Sequence, residues 1–289
     1  MAGPEPRAGL IGITVSTGHR SERQYDPRRA AGLPGCGHRG RVPVCFDGPM
    51  PSDAGSPYEA VAGDARELIQ AVPDHSVDLI CMDPPYNLSP YSRGNIKMAW
   101  RSDFNNDLAD WDRVPFDPKD WLDELRRVLT PQGNLFAFTS YNLLGRWHEV
   151  FDPAFDTFQF LVWHKTNPAP KLRRAGFLNS CELVVCCWDR GHTWNFGHQR
   201  DMHNFIESPI CSGNERLKDP KHPAQKPLVV LRRLVELASQ PGDLVLDPFM
   251  GVGSTGVAAV ELGRRFVGFE LDPVYAAAAQ TRLEAAIQS

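Results

Sequence analysis

From residue 58 onward the apolar positions switch between runs of strand length and stripes of helical spacing. Residues 59–62 read as a short strand, Gly63-Asp64 as a turn and 65–72 as one or two helical turns. Residues 77–82, Val-Asp-Leu-Ile-Cys-Met, are a nearly continuous apolar run that closes on Asp83-Pro84-Pro85-Tyr86. Asp117-Pro118-Lys119-Asp120 is a helix start with proline in the first turn. Trp121, Leu125, Val128 and Leu129 then mark one apolar stripe, ended by Thr130-Pro131-Gln132-Gly133. Strands at 134–139, 157–164, 181–188, 244–246 and 266–269 alternate with helices at 142–151, 227–239, 254–262 and 273–287. Strands separated by helices imply a mostly parallel sheet with helices on both faces.

Three segments carry no such period. Residues 1–56 are rich in Gly, Pro and Arg and are expected to be disordered or weakly ordered, leaving one domain at 57–289. Met50 stands just before the first patterned segment, so a true start near Met50 is an open alternative. Residues 87–116 form a loop longer than a connection needs, which points to a functional role, and residues 189–221 read as an irregular insert.

Composition bounds the function without choosing it. The 289 residues, 42% hydrophobic and 23% charged, suit one large α/β domain or two small ones. No apolar stretch is long enough to span a bilayer and no secretory signal opens the chain, so a cytoplasmic protein is expected. The seven cysteines include no Cys-x-x-Cys pair, and Cys186 with Cys187 lies in an apolar run, so reduced structural thiols are expected. Cys36, His38 and Cys45 fit no standard zinc spacing, and no metal is implied. A formal charge of −4 means that any nucleic-acid surface must be local. Candidates are Lys165 with Lys171, Arg173 and Arg174, then Lys218 with Lys221, and Arg93, Lys97 and Arg101. Solvated loops carry such clusters too. In the first, Trp163, Asn167 and Phe177 interleave the charges with stacking and hydrogen-bonding groups, which favours DNA.

Two motifs carry chemistry. Gly251-Val-Gly253-Ser-Thr-Gly256 matches G-x-G-x-x-G after a strand, and Glu270 ends the next strand, so a dinucleotide fold is the first rival. Only one helix follows Glu270, which leaves no downstream half-sheet for a nicotinamide. Asp247 at the preceding strand end suits a cationic cofactor such as S-adenosylmethionine better than a pyrophosphate. Glu270 is then placed to accept from ribose hydroxyls.

Asp83-Pro84-Pro85-Tyr86 could be a plain proline turn at a strand end. A functional reading explains more of it. The exocyclic amine of adenine is a poor nucleophile because its lone pair is delocalised into the ring. Asp83 accepting one amino hydrogen and the Pro84 carbonyl the other favour a pyramidal nitrogen whose lone pair points at a sulfonium methyl. Tyr86 is suited to stack on an extruded base.

With its Asp83-Pro-Pro-Tyr86 motif, its Asp247-Pro-Phe249-x-Gly251-x-Gly253-Ser254-Thr255 block and His222-Pro-Ala-Gln-Lys226-Pro227, the chain resembles the amino-group DNA methyltransferases from about residue 59 onward. The target-base motif precedes the cofactor motif, as in the β class of that family. The resemblance implies an α/β, doubly wound, mostly parallel seven-stranded Rossmann-like methyltransferase fold in permuted order, with one antiparallel edge strand near 181–188. It implies S-adenosyl-L-methionine as donor, with Asp64, His222, Lys226, Asp247, Phe249, Gly251, Gly253, Ser254, Thr255 and Glu270 around it. Asp83, Pro84, Pro85 and Tyr86 are then catalytic. Asn87, Lys165, Asn167, Lys171, Arg173 and Arg174 are expected to bind double-stranded DNA, residues 163–168 to wall the target side, and 87–116 with 189–221 to recognise the sequence. A homodimer and a companion restriction endonuclease are left open, as is a solitary regulatory role.

Asp at the head of the tetrapeptide resembles the adenine N6 enzymes, whereas Ser is commoner in those that modify cytosine N4. Adenine is therefore the first expectation and cytosine N4 the alternative. Cytosine C5 methylation needs a cysteine nucleophile, usually in Pro-Cys, and the chain has no such dipeptide. The protein-glutamine methyltransferases resemble the family too, but their tetrapeptide starts with Asn and their cofactor motif comes first. A nicotinamide-linked oxidoreductase and a non-catalytic DNA-binding regulator remain the readings from other classes.

Overall fold

A computed structural model describes residues 55–87, 115–170 and 176–288. The expectations for residues 1–54, for Met50, Cys36, His38 and Cys45, for Arg93, Lys97 and Arg101, for most of the 87–116 loop and for Lys171, Arg173 and Arg174 lie outside the described residues.

Among the described residues eight strands form one sheet: β1 (Tyr58–Ala62), β2 (Val77–Met82), β3 (Leu129–Thr139), β4 (Thr157–Lys165), β5 (Cys181–Trp188), β6 (Phe205–Ser208), β7 (Leu244–Asp247) and β8 (Arg265–Glu270). Their spatial order is β1-β8-β7-β2-β3-β5-β4-β6. Every pairing is parallel except the two made by β5. The expected α/β class holds, with three corrections. The sheet has eight strands rather than seven. The reversed strand 181–188 is interior, between β3 and β4, and the edge is β6, drawn from the segment read as an irregular insert. Thr130 to Gly133, read as a stop, belong to β3, which starts at Leu129 directly after the helix. Four-residue β6 shows no period of its own; it is held from outside, by Trp163 Nε1 donating to Ser208 Oγ at 2.8 Å.

The helices are α1 (Ala65–Leu68), α2 (Leu122–Val128), α3 (Leu144–Phe151), α4 (Leu228–Ala238), α5 (Ser254–Glu261) and α6 (Pro273–Ile287). Asp64 caps α1 by accepting from Arg66 N at 2.9 Å, and Asp117 caps the 3₁₀ turn before α2 by accepting from Lys119 N at 3.0 Å. Strand periodicity of two sorts the apolar run of β2 onto both faces: Ile80 and Met82 pack with α2 and α3, whereas Leu79 and Cys81 pack with α4, α5 and α6; Val77, before a register shift in the strand, joins the first group. Both faces of the central strands are therefore dry, as a parallel sheet requires. Among the described residues no helix is long and apolar enough to cross a membrane. Five cysteines there are free, and burial pushes the Cys186 thiol up to about 12, as suits an inert packing residue.

Candidate active site

β2 and β7 are neighbours, yet the chain leaves β2 toward β3 on one side and β7 toward β8 on the other. In open α/β sheets the crevice at the carboxyl ends of such a pair is where ligands bind. A cavity of about 220 Å³ opens there. It is lined by Asp64 after β1, Asp83 and Pro85 after β2, the Pro248–Val252 loop with Ser254 and Thr255 after β7, and Glu270 at the end of β8. Phe116, Trp121, His222 and Lys226 complete it.

The Asp83 side of the cavity is a buried network. Tyr86 OH donates to Asp83 Oδ1 at 2.6 Å and lies 3.1 Å from Glu182 Oε2. Lys226 Nζ pairs with Asp83 Oδ2 and lies 3.3 Å from Glu182 Oε2, with its ammonium over the Tyr86 and Phe138 rings. Glu182 Oε1 in turn pairs with Lys165 Nζ at 2.5 Å. Two carboxylates and two ammonium groups thus balance to zero. Burial raises the Asp83 carboxyl above its usual range, and Lys226 is the largest influence pulling it back. Burial opposes the charge of Glu182 as well, but there Lys226 and Lys165 outweigh it and its pKa is lowered. Asn142 Nδ2 holds the Tyr86 carbonyl at 2.9 Å.

Lys226, expected beside the cofactor, lines the cavity, and its ammonium sits on the Asp83 carboxylate. Glu182 went unseen in the sequence because nothing local marks it; the β2–β3 and β3–β5 registers, which set Met82 beside Ala137 and Thr139 opposite Leu183, bring it to Asp83.

On the glycine-loop side the Gly251 N–H donates to Glu270 Oε2 at 2.9 Å and Asp272 N to Oε1 at 2.8 Å. With Leu271 N as a third backbone donor, the Glu270 carboxylate still keeps one lone pair for a ligand hydroxyl. Gly251 has φ +52° and little room for a side chain: a Cβ would come 3.2 Å from His222 Nε2. The backbone is therefore free to approach a bound molecule at this point. Burial lowers the His222 pKa to about 4, and its ring packs edge-on against Tyr275 at 4.6 Å between centroids. Asp247 and Gly253 stand behind this loop rather than in the cavity lining. Asp247 accepts from Phe249 N at 3.0 Å and from the Thr255 hydroxyl, and burial pushes its pKa up to about 7. Gly253 is demanded by packing, since a Cβ there would meet Ala279 at 2.9 Å. Arg282 holds Ser254 Oγ at 3.1 Å.

The described residues expected on DNA are engaged within the protein. Lys165 points at Glu182. Asn167 Oδ1 accepts from Ile210 N at 2.7 Å. The side chain of Asn87 bonds both backbone groups of Phe116. Trp163, expected on the target wall, is buried.

A strand-end carboxylate carrying an aromatic neighbour faces the same cavity as a glycine loop and a hydroxyl acceptor, which is the layout of a two-substrate transferase. Residues 77–281 match the DNA methylase family of N6 and N4 type, so the chain belongs to that family. It is 31% identical over 243 residues to the type II methyltransferase M2.DpnII of Streptococcus pneumoniae, covering 78% of this chain and 89% of that one. The crystal structure of the M1.HpyAVI–SAM complex superposes with a TM-score of 0.58 at 25% identity, covering 78% of this chain and all of that one. The cytosine-N4-specific PvuII DNA methyltransferase shares the fold, with a TM-score of 0.56 at 19% identity over 78% of this chain and 88% of that one.

Proposed function

We propose that this DNA methyltransferase moves a methyl group from S-adenosyl-L-methionine to the N6 amine of a flipped-out adenine in double-stranded DNA. The observation that carries the reading is that Asp83 and Glu270 line one cavity, so a base amine and a donor held there can meet. S-adenosylmethionine supplies an electrophilic methyl on a sulfonium. Its fit rests on the Gly251 backbone, the Glu270 carboxylate and the apolar walls Phe116 and Phe249.

Asp83 orients the acceptor. An anionic carboxylate accepts one amino hydrogen and draws the nitrogen lone pair out of conjugation, while the Pro84 carbonyl offers the second acceptor. Tyr86 supplies an aromatic plane beside the amine. The Lys226 ammonium opposes the rise that burial imposes on the Asp83 carboxyl and so favours the anionic form that the reaction needs. The Asp head of the tetrapeptide favours adenine over cytosine. Similarity to a type II methyltransferase supports a companion restriction endonuclease, which the genes flanking the coding region would reveal.

Single-molecule sequencing of DNA from modification-deficient cells expressing the protein tests this, with Asp83→Ala as control. N6-methyladenine in a defined sequence context, absent in the control, is the expected result. N4-methylcytosine would overturn the choice of base, and no modification at all would overturn the acceptor.

A further inference from the structure

We propose that Glu182 is a positioning residue for the target amine: it is the second seat onto which Tyr86 and Lys226 move when the amine takes their place on Asp83. The inference rests on the reading of Asp83 as the acceptor's partner. In the structure both Asp83 oxygens are engaged, Oδ1 by the Tyr86 phenol and Oδ2 by the Lys226 ammonium. A neutral amine N–H is a weaker donor than either and must compete with them for the same lone pairs. Pulling a phenol and an ammonium off a buried carboxylate without a compensating acceptor would cost more than the incoming bond returns. Glu182 removes that difficulty. Its Oε2 already stands 3.1 Å from the Tyr86 hydroxyl and 3.3 Å from Lys226 Nζ, so each donor is shared between Asp83 and one and the same oxygen.

The second seat is itself fixed. Glu182 lies on β5, in the sheet interior, and its other oxygen is held by Lys165 Nζ at 2.5 Å. A shift of the two donors toward Oε2 therefore opens Asp83 without moving backbone. Lys165 serves in this arrangement as the anchor of Glu182 and not as a phosphate contact.

The test uses the full-length protein with S-adenosylhomocysteine and two duplexes carrying the site mapped by sequencing. One has the normal target base; the other has purine in place of adenine, or 2-pyrimidinone if the mapped base is cytosine, and so lacks the exocyclic amine. Wild-type protein should bind the amine-bearing duplex more tightly. Glu182→Ala should lose that preference by roughly ten- to a hundredfold, the weight of a charge-assisted hydrogen bond, with affinity for the amine-free duplex unchanged. Glu182→Gln, which keeps the shape and one neutral acceptor, should fall between. In an Asp83→Ala background, Glu182→Ala should change the preference no further. Equal weakening of both duplexes would mark a merely structural role and overturn the proposal, as would a Glu182→Ala protein with wild-type preference. If the wild type methylates its site while the preference survives in Glu182→Ala, only the role of Glu182 falls. If the wild type transfers no methyl to an amine, the reading of Asp83 falls with it.

Discussion

The side chain of Asn87 closes on the backbone of Phe116: Nδ2 donates to the Phe116 carbonyl at 2.8 Å, and Oδ1 accepts from the Phe116 N–H at 2.9 Å. The two residues are 29 apart in the chain, so this pair fastens the two ends of the long segment after the catalytic motif. Asn87 does so from φ 55°, a conformation that asparagine tolerates better than most residues. Phe116 in turn packs on Phe249, with ring centroids 5.9 Å apart, and lines the cavity. Asn87→Ala should therefore cost about 2–4 kcal/mol of stability, from two hydrogen bonds and a strained backbone, and weaken donor binding several-fold. Asn87→Gly relieves the backbone and should recover part of the stability but not the affinity. Thermal unfolding and calorimetric titration with S-adenosylmethionine read the two effects separately. Unchanged donor affinity in both variants would show that Phe116 does not shape the cavity.

Lys226→Met should move the acid limb of the pH–rate profile to higher pH. Burial already raises the Asp83 carboxyl, and Lys226 is the largest influence opposing that rise. Without the ammonium, Asp83 and Glu182 are left as two buried like charges, and the Asp83 pKa climbs further. The reactive form is the carboxylate, so its fraction at neutral pH drops and the rate drops with it. Raising the pH should restore turnover. A uniform loss at every pH would mean that Lys226 acts on the donor instead.

Much of the fold was legible because its central strands are buried on both faces and helices such as α3 and α4 carry one apolar stripe. The runs at Val77–Met82 and Cys181–Trp188 and the helix Pro273–Ile287 have the expected bounds. What escaped was set from outside the segment. β6 is ordered by its pairing with β4, and the interior position of β5 follows from pairings on both sides. The site divides in the same way. Asp83, Tyr86, Gly251 and Glu270 sit in local motifs whose turn chemistry shows in the sequence. Glu182, the true partner of Lys165 and the seat of the Lys226 ammonium all depend on register between distant strands and loops. Asp247 reads two ways in the sequence because a carboxylate at a strand end serves equally well to hold its own loop, as it does here by accepting from Phe249 N.

Gly251→Ala should weaken donor binding by about tenfold or more while leaving the fold intact. The position has φ +52°, costing roughly 1 kcal/mol or more for any side chain, and the new methyl would stand 3.2 Å from His222 Nε2. His222 is backed by Tyr275, so the loop rather than the ring must give way. That movement pulls the Gly251 N–H off Glu270 and displaces both from the ligand. Equilibrium titration with S-adenosylmethionine checks it, and an affinity equal to wild type would remove Gly251 from the donor site.

Asp247→Asn should stabilise the protein at alkaline pH and do little in acid. The folded carboxyl has a pKa of about 7 against an ordinary value of 3.8, because it is buried, and its neighbours Asp83 and Glu270 add to the rise. Between those two values the native state holds a proton that the unfolded chain has lost. By linkage, stability then falls as the pH rises through this window, and above about 7 the full cost of a buried charge is present. The whole window corresponds to something on the order of 4 kcal/mol. Asparagine keeps an acceptor for Phe249 N and can donate to Thr255, but it carries no charge to desolvate. The gain of the variant over wild type, read from urea unfolding midpoints, should thus be small near pH ~4–5 and large near pH ~8. A gain independent of pH would mean that the carboxyl stays ionised throughout and that its neighbours, not its proton, carry the cost.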